Sequence, residues 1–204
     1  MDADFSIELG PTAPALELPW SDPAARVRYL DLRREPARVD ELPEAAQFPA
    51  LRSFLLAVNS AASPWQSAKC DVWSEAAGAA ENLYGAAHAC GSYLDIVLAG
   101  VTPARDNLTL HEAIARRIAN RLEEHEALPA TAEIVVRRCY FHAESVTGVQ
   151  DESTPGYCLT LFVTGWGDSL QEAAANWAKA LECLAGCLLQ PPTEVARAPG
   201  SELG

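Results

Sequence analysis

The sequence predicts an α+β protein with a mostly antiparallel sheet and helices packed mainly on one face of it. Three observations lead there. Some segments alternate polar and apolar residues at period two, and others repeat apolar residues at helical spacing. In the second half the two kinds follow one another as strand, helix, strand, strand, helix, which suits a ferredoxin-like arrangement of antiparallel sheet under two helices. A chain of 204 residues can bury roughly 70% of its unfolded surface. No Pro/Gly-rich linker divides it, so residues 1–190 are read as a single domain and 191–204 as a disordered tail.

Residues 4–9 alternate, with Phe5, Ile7 and Leu9 on one side, and residues 15–20 repeat the habit with Leu16 and Leu18. Gly10-Pro11 and Pro19 close these strands. Residues 26–32 read as a third strand, in which Val27, Tyr29 and Asp31 alternate with Arg28, Leu30 and Leu32. Pro36, Pro43 and Pro49 restrict the next stretch to short helices. Pro49 suits the first turn of one that runs to Ser60 with a stripe of Leu51, Phe54, Leu55 and Val58. Residues 67–73 are extended. Ser74 then caps an Ala-rich helix that Gly85 ends, and residues 90–99 form a strand with Leu94, Ile96 and Leu98 opposite Tyr93, Asp95 and Val97. Thr109-x-x-Glu112 is a capping box ahead of Ile114, Ile118 and Leu122. A strand over 132–142, a polar loop over 143–156 and a strand over 157–164 make a hairpin. The last helix opens with a second capping box, Ser169-x-x-Glu172, and carries Leu170, Ala174, Trp177, Leu181, Leu184 and Leu188 until Pro191-Pro192 stops it.

Composition narrows the function classes. Hydrophobic content of 49% with 21% charged residues is that of a globular chain, which argues against overall disorder. The net charge of −13 repels phosphates at long range, so DNA and RNA are excluded as expected partners. No run reaches the length of a membrane span, so no membrane partner is expected. Met1-Asp2-Ala3-Asp4 is acidic where a secretory leader is basic. A soluble, acidic, cytoplasmic protein follows, with its six cysteines as free thiols.

The stretch richest in chemistry is 132–142. On a strand, Ile134, Val136, Arg138, Tyr140 and His142 share one face, and Glu133, Val135, Arg137, Cys139 and Phe141 the other. Cys70, between Lys69 and Asp71, and Cys139, after two arginines, have the cationic neighbours that can activate a thiol, with His142 or His88 as the base. Asp71, Arg137 and Arg138 are the ligand-binding candidates, since guanidinium groups grip phosphate or carboxylate bidentately. The plainer account of the arginine pair is an ion pair with Asp31, Asp71 or Asp95. Metal ligation fails on spacing. Cys139-x-x-His142 sends its side chains to opposite faces, and His111 and His125 lie roughly 21 Å apart along their helix. Neither a metal nor another cofactor is expected.

Ile7-Glu8-Leu9-Gly10, Leu18-Pro19-Trp20, Phe54-Leu55-x-x-Val58-Asn59-Ser60, Ala68-Lys69-Cys70-Asp71-x-Trp73 and Arg137-Arg138-Cys139-Tyr140 together resemble an uncharacterised family of bacterial proteins. The resemblance covers most of the chain and implies a bacterial source, with no activity, substrate or cofactor.

No catalytic constellation survives these geometric tests. The first expectation is therefore a non-enzymatic binding or assembly protein that meets an unknown protein partner or itself, as a homodimer through the sheet edge or the last helix. The alternative is a small enzyme or binding protein for a small anionic ligand, with a Cys/Arg/His pocket built from Cys70, Asp71, Arg137, Arg138, Cys139 and His142.

Overall fold

The computed structural model describes residues 1–22, 24, 27–76, 84–100, 103–142 and 153–190. The predicted tail at 191–204, most of the Ala-rich helix after Ser74 and most of the 143–156 loop lie outside them. Among these described residues eight strands and four α-helices follow in order: β1 Asp2–Glu8, β2 Ala15–Leu18, β3 Ser21–Asp22, β4 Val27–Arg28, α1 Pro43–Gln47, α2 Pro49–Val58, β5 Trp65–Ala76, β6 His88–Leu98, α3 Leu108–Glu123, β7 Ala130–Phe141, β8 Thr154–Gly167 and α4 Leu170–Leu189. An α+β architecture is present. Its main sheet has six strands in the order β1-β7-β8-β6-β5, with β2 also paired to β7.

The sheet is mixed. β5, β6, β8 and β7 are antiparallel neighbours, whereas β1 and β2 both run parallel to β7. β1 pairs with Thr131–Arg137 and β2 with Arg138–Phe141, so the two strands share one long partner end to end.

One face of the sheet carries the main core. Leu94, Ile96, Ile134, Val136, Leu159, Leu161 and Val163 project from the strands against Leu51, Leu55, Ile118, Leu122, Trp177 and Leu181 of α2, α3 and α4. Each strand supplies every second residue and each helix an i, i+3, i+4 stripe. Two glycines set how closely α4 can lie. A Cβ on Gly165 would stand 2.1 Å from the Trp177 backbone nitrogen, and one on Gly167 would stand 2.6 Å from the nitrogen of Ala173. Trp177 seals this layer by donating from Nε1 to Ser92 Oγ at 2.9 Å.

Several local expectations are corrected. The strand predicted over 26–32 shrinks to Val27–Arg28, paired with Ser21–Asp22. Beyond it, the Asp31 carboxylate accepts from the Arg33 and Arg34 amides, each at 3.1 Å, and turns the chain. Ser74 caps no helix, because β5 continues through it to Ala76. α3 begins one turn's fraction early, with Asn107 as its N-cap accepting from Leu110 N at 3.0 Å. Glu112 instead meets Arg116 at 2.8 Å. At α4 half of the predicted box is present: Ser169 Oγ accepts from Glu172 N at 3.2 Å, whereas the Glu172 carboxylate accepts from the amide of Asp168, one residue before the N-cap, at 2.8 Å.

Candidate functional site

Among the described residues no α-helix packs on the second face of the sheet, whose residues the register arranges in rows. Trp73, Gly91, Thr164 and Thr131 form one, Asp71, Tyr93, Phe162 and Glu133 the next, and Lys69, Asp95, Thr160 and Val135 the third. Val97, Cys158 and Arg137 follow in a fourth row. Two covers bound this area. At one end Leu16, Leu18 and Trp20 pack over Val97, Cys139 and Cys158, and at the other Ala86 and Tyr84 close over Trp166. The Trp73 indole lies on Gly91, where an added Cβ would come within 2.6 Å of the ring.

Between the covers lies a cavity of about 290 Å³ whose polar lining is Lys69, Tyr93, Asp95, Arg137, Cys158 and Thr160, with Phe162 and Leu16 as apolar wall. A larger cleft of about 910 Å³ adjoins it along the β5 edge, sharing Ala15, Leu16, Lys69 and Tyr93. Asp95 is the unusual member. It is only 9% exposed, and its one hydrogen-bond partner among the described residues is Thr160, whose hydroxyl donates to Oδ1 at 2.5 Å. Burial pushes its carboxyl above the ordinary carboxylate range, against the opposing pull of Thr160, Arg137 and Lys69. Tyr93 is pushed up to about 12, first by burial and then by the Asp95 and Asp71 charges.

The cations around Asp95 are held at a distance from it. Arg137 donates from Nε and Nη2 to Glu8 Oε2 at 2.9 and 2.8 Å, and its guanidinium sits 5.5 Å from the Phe162 ring centre. Lys69 Nζ sits 5.4 Å above the Trp20 ring, and Trp20 in turn donates to the Ala68 carbonyl at 2.7 Å. The predicted arginine ion pair therefore exists, but with Glu8, which a parallel strand delivers opposite Arg137.

The six residues singled out from sequence do not converge. Cys70 faces the main core from β5, and burial with the Glu44, Asp71 and Asp95 charges pushes its thiol up to about 12, so it stays protonated at neutral pH. Asp71 is exposed and accepts from the Val72 amide at 2.8 Å. Cys139 is fully buried under Leu16 and Leu18, beside Cys158, whose own thiol is raised by that neighbour and by burial. Arg138 is exposed on the face opposite Arg137. His142 lies beyond the end of β7, its Nε2 2.5 Å from Glu17 Oε2. Cys70 shares a row with Ile134, eight residues back along β7, on the order of 27 Å from the His142 end at strand rise. Of the six, Arg137 alone lines the smaller cavity, and Cys70 and Asp71 line the larger cleft.

Lys69, Tyr93 and Thr160 were not singled out, and Asp95 only as an ion-pair partner. The signal was present in Tyr93-x-Asp95 and Thr160-x-Phe162. In strands whose other face reads Leu94, Ile96, Leu159 and Leu161, these polar side chains mark a second face that is functional or wet. Among the described residues no three His, Cys, Asp or Glu side chains gather as a metal site would require, and no described helix is long and apolar enough to cross a membrane.

The molecule is thus an α+β protein with helices on one sheet face and a partly covered polar cavity on the other. Comparison with known proteins adds nothing to that class: no protein-family model matches the chain, and no curated protein and no solved structure is significantly similar to it.

Proposed function

We propose that this is a non-enzymatic binding protein whose ligand occupies the cavity on the second face of the sheet. The observation that carries the reading is Asp95, a buried carboxylate with a single hydrogen-bond partner and no ion pair among the described residues, opening onto a cavity. Such a group costs stability, and a folded chain gains nothing from it unless something else completes its contacts. Its setting fits a small-molecule site, with apolar walls and a few convergent polar groups in a concave space near the lower end of ordinary ligand-pocket volumes (~300–1,000 Å³). A covalent thiol mechanism has less support, because Cys70 is held protonated and His142 stands at the far end of another strand.

The resemblance to an uncharacterised bacterial family is compatible with this reading and adds no chemistry to it. A ferredoxin-like arrangement for the C-terminal half is likewise part of the proposal. It is supported by β8 lying between β6 and β7, the two strands that α3 connects, with α3 and α4 on one face.

The test is native mass spectrometry of the full chain purified gently from its own or a related host. A retained small mass that disappears on denaturation supports the reading, and its loss in Asp95→Asn locates it. A bare mass, together with an unchanged melting temperature against metabolite panels, overturns it.

A further inference from the structure

The geometry points to an amino-acid-like zwitterion as the ligand: an ammonium on Asp95 and Thr160, a carboxylate on Lys69 with Arg137 as the second cation of the cavity, and an apolar side chain against Tyr93 and Phe162. This rests on the binding reading above and adds the class of the ligand.

The charges of the site lead to it. The cavity brings Asp95 together with Lys69 and Arg137, and Arg137 already carries Glu8 as counter-ion, so two acids stand against two cations. A ligand of net charge in either sense would leave one of these groups uncompensated in a partly desolvated space, which is costly. A zwitterion brings one charge of each sign and leaves the balance at zero. The overall charge of −13 reinforces the selection, since it disfavours free anions at long range and leaves a net-neutral ligand unaffected.

The available valences match. Thr160 spends its hydroxyl hydrogen on Asp95 Oδ1, so its oxygen remains an acceptor, and Asp95 Oδ2 has no protein partner among the described residues. These are two adjacent acceptors of the kind an ammonium, with three donors, requires. Arg137 directs Nε and Nη2 to Glu8, leaving Nη1 without a hydrogen bond in the described structure. Lys69 and Asp95 are direct cross-strand partners, about 5 Å apart at the backbone, so the two ends of one small ligand can reach both signs of charge. The hydrophobic part has a surface to lie on, because Tyr93 and Phe162 sit side by side with ring centres 6.3 Å apart. An ammonium on Asp95 also opposes the burial that raises that carboxyl.

The experiment is calorimetric titration of the full chain with L-phenylalanine and L-leucine, and then with two truncated probes. 2-Phenylethylamine lacks the carboxylate and 3-phenylpropanoate lacks the amine. The expected result is saturable 1:1 binding of at least one amino acid, with each truncated probe weaker on the order of tenfold or more. Asp95→Asn should remove the preference for L-phenylalanine over 3-phenylpropanoate. Lys69→Met, at an exposed position that leaves folding intact, should remove the preference over 2-phenylethylamine; circular dichroism checks the fold of both variants. Equal binding of a truncated probe, or preferences that survive both substitutions, overturns the zwitterion. If neither amino acid binds while native mass spectrometry finds another retained ligand, the ligand class is wrong and the binding reading stands. If nothing binds and nothing is retained, both fall.

Discussion

Replacing Gly165 by alanine tests the contact that fixes α4 on the sheet. The new Cβ would stand 2.1 Å from Trp177 N, 2.4 Å from Ala173 O and 2.6 Å from Trp177 Cα, all of them backbone atoms that no rotamer change can remove. The helix must back away by at least about 1.3 Å to reach ordinary contact, and a radial gap of even ~0.5–1 Å already forfeits roughly a quarter to a half of the dispersion energy at each contact it opens. α4 buries Ala173, Trp177, Ala180, Leu181, Leu184, Cys187 and Leu188, so the loss is shared along its length. Overpacking typically costs ~1–3 kcal/mol, and with backbone on both sides we expect about 3 kcal/mol, a fall in Tm of about 6–12 °C for a chain this size. Urea unfolding followed by Trp fluorescence measures it. Gly186→Ala is the control: it lies on the exposed side of the same helix, a Cβ there meets nothing within 4 Å, and helix propensity predicts a gain of about 0.5–1 kcal/mol. A Gly165→Ala variant within about 0.5 kcal/mol of wild type would refute the close approach.

Arg33→Met should cost about 3 kcal/mol, because Nη1 donates to the carbonyls of Ser60, Ser63 and Trp65 at 2.8–3.0 Å and Nη2 to Ala61 at 3.2 Å, tying the chain after α2 to the start of β5; unfolding in denaturant decides, and a neutral result would make the contacts ornamental. Because burial raises Asp95, the folded chain holds its proton more tightly than the unfolded one. Wild type should lose stability relative to Asp95→Asn as pH climbs from 3.8 through the raised value, and an opposite or flat difference would contradict the buried-acid assignment. His111 behaves the other way: burial lowers its ring below 6.5, the unfolded chain then binds more protons, and stability should fall as pH drops through that value, a slope that His111→Asn removes. In native thiol labelling, partly exposed Cys183 should react well ahead of buried Cys139 and Cys158, which should require unfolding.

What the sequence disclosed and what it withheld divide along physical lines. Local signals carried well: the Ser169-x-x-Glu172 box opens α4, the Leu51, Phe54, Leu55, Val58 stripe is the buried side of α2, and the alternation around Leu94 and Ile134 gives β6 and β7 their core faces. Where two local signals competed, the tertiary one won. Ser74 and the alanines after it favour a helix, yet the chain is drawn into β5 because Ser74 pairs with Cys90 and Ala76 with His88. Strand direction was beyond reach, since alternation is the same in a parallel and an antiparallel strand. Only the pairing of residues 2–8 with 131–137 makes β1 parallel and brings Glu8 to Arg137.

That same pairing explains why a site drawn from reactive residue types differs from the one the fold assembles. Cys139 and His142 were attractive as neighbours in sequence, but a strand sends neighbours apart, and the β2 segment buries the first while leaving the second in solvent beside Glu17. The residues that do meet come one or two from each strand, Lys69 from β5, Tyr93 and Asp95 from β6, Thr160 from β8 and Arg137 from β7. In each strand the side chains of interest are one or two polar departures among apolar neighbours, which in isolation look like an ordinary solvated face. It becomes a site only because five such departures fall in adjacent rows and the Leu16 segment roofs part of them over. With Asp95 withdrawn from water and no ion pair formed to offset it among the described residues, the cost is concentrated where the cavity opens, and substitutions there should separate stability from binding most cleanly.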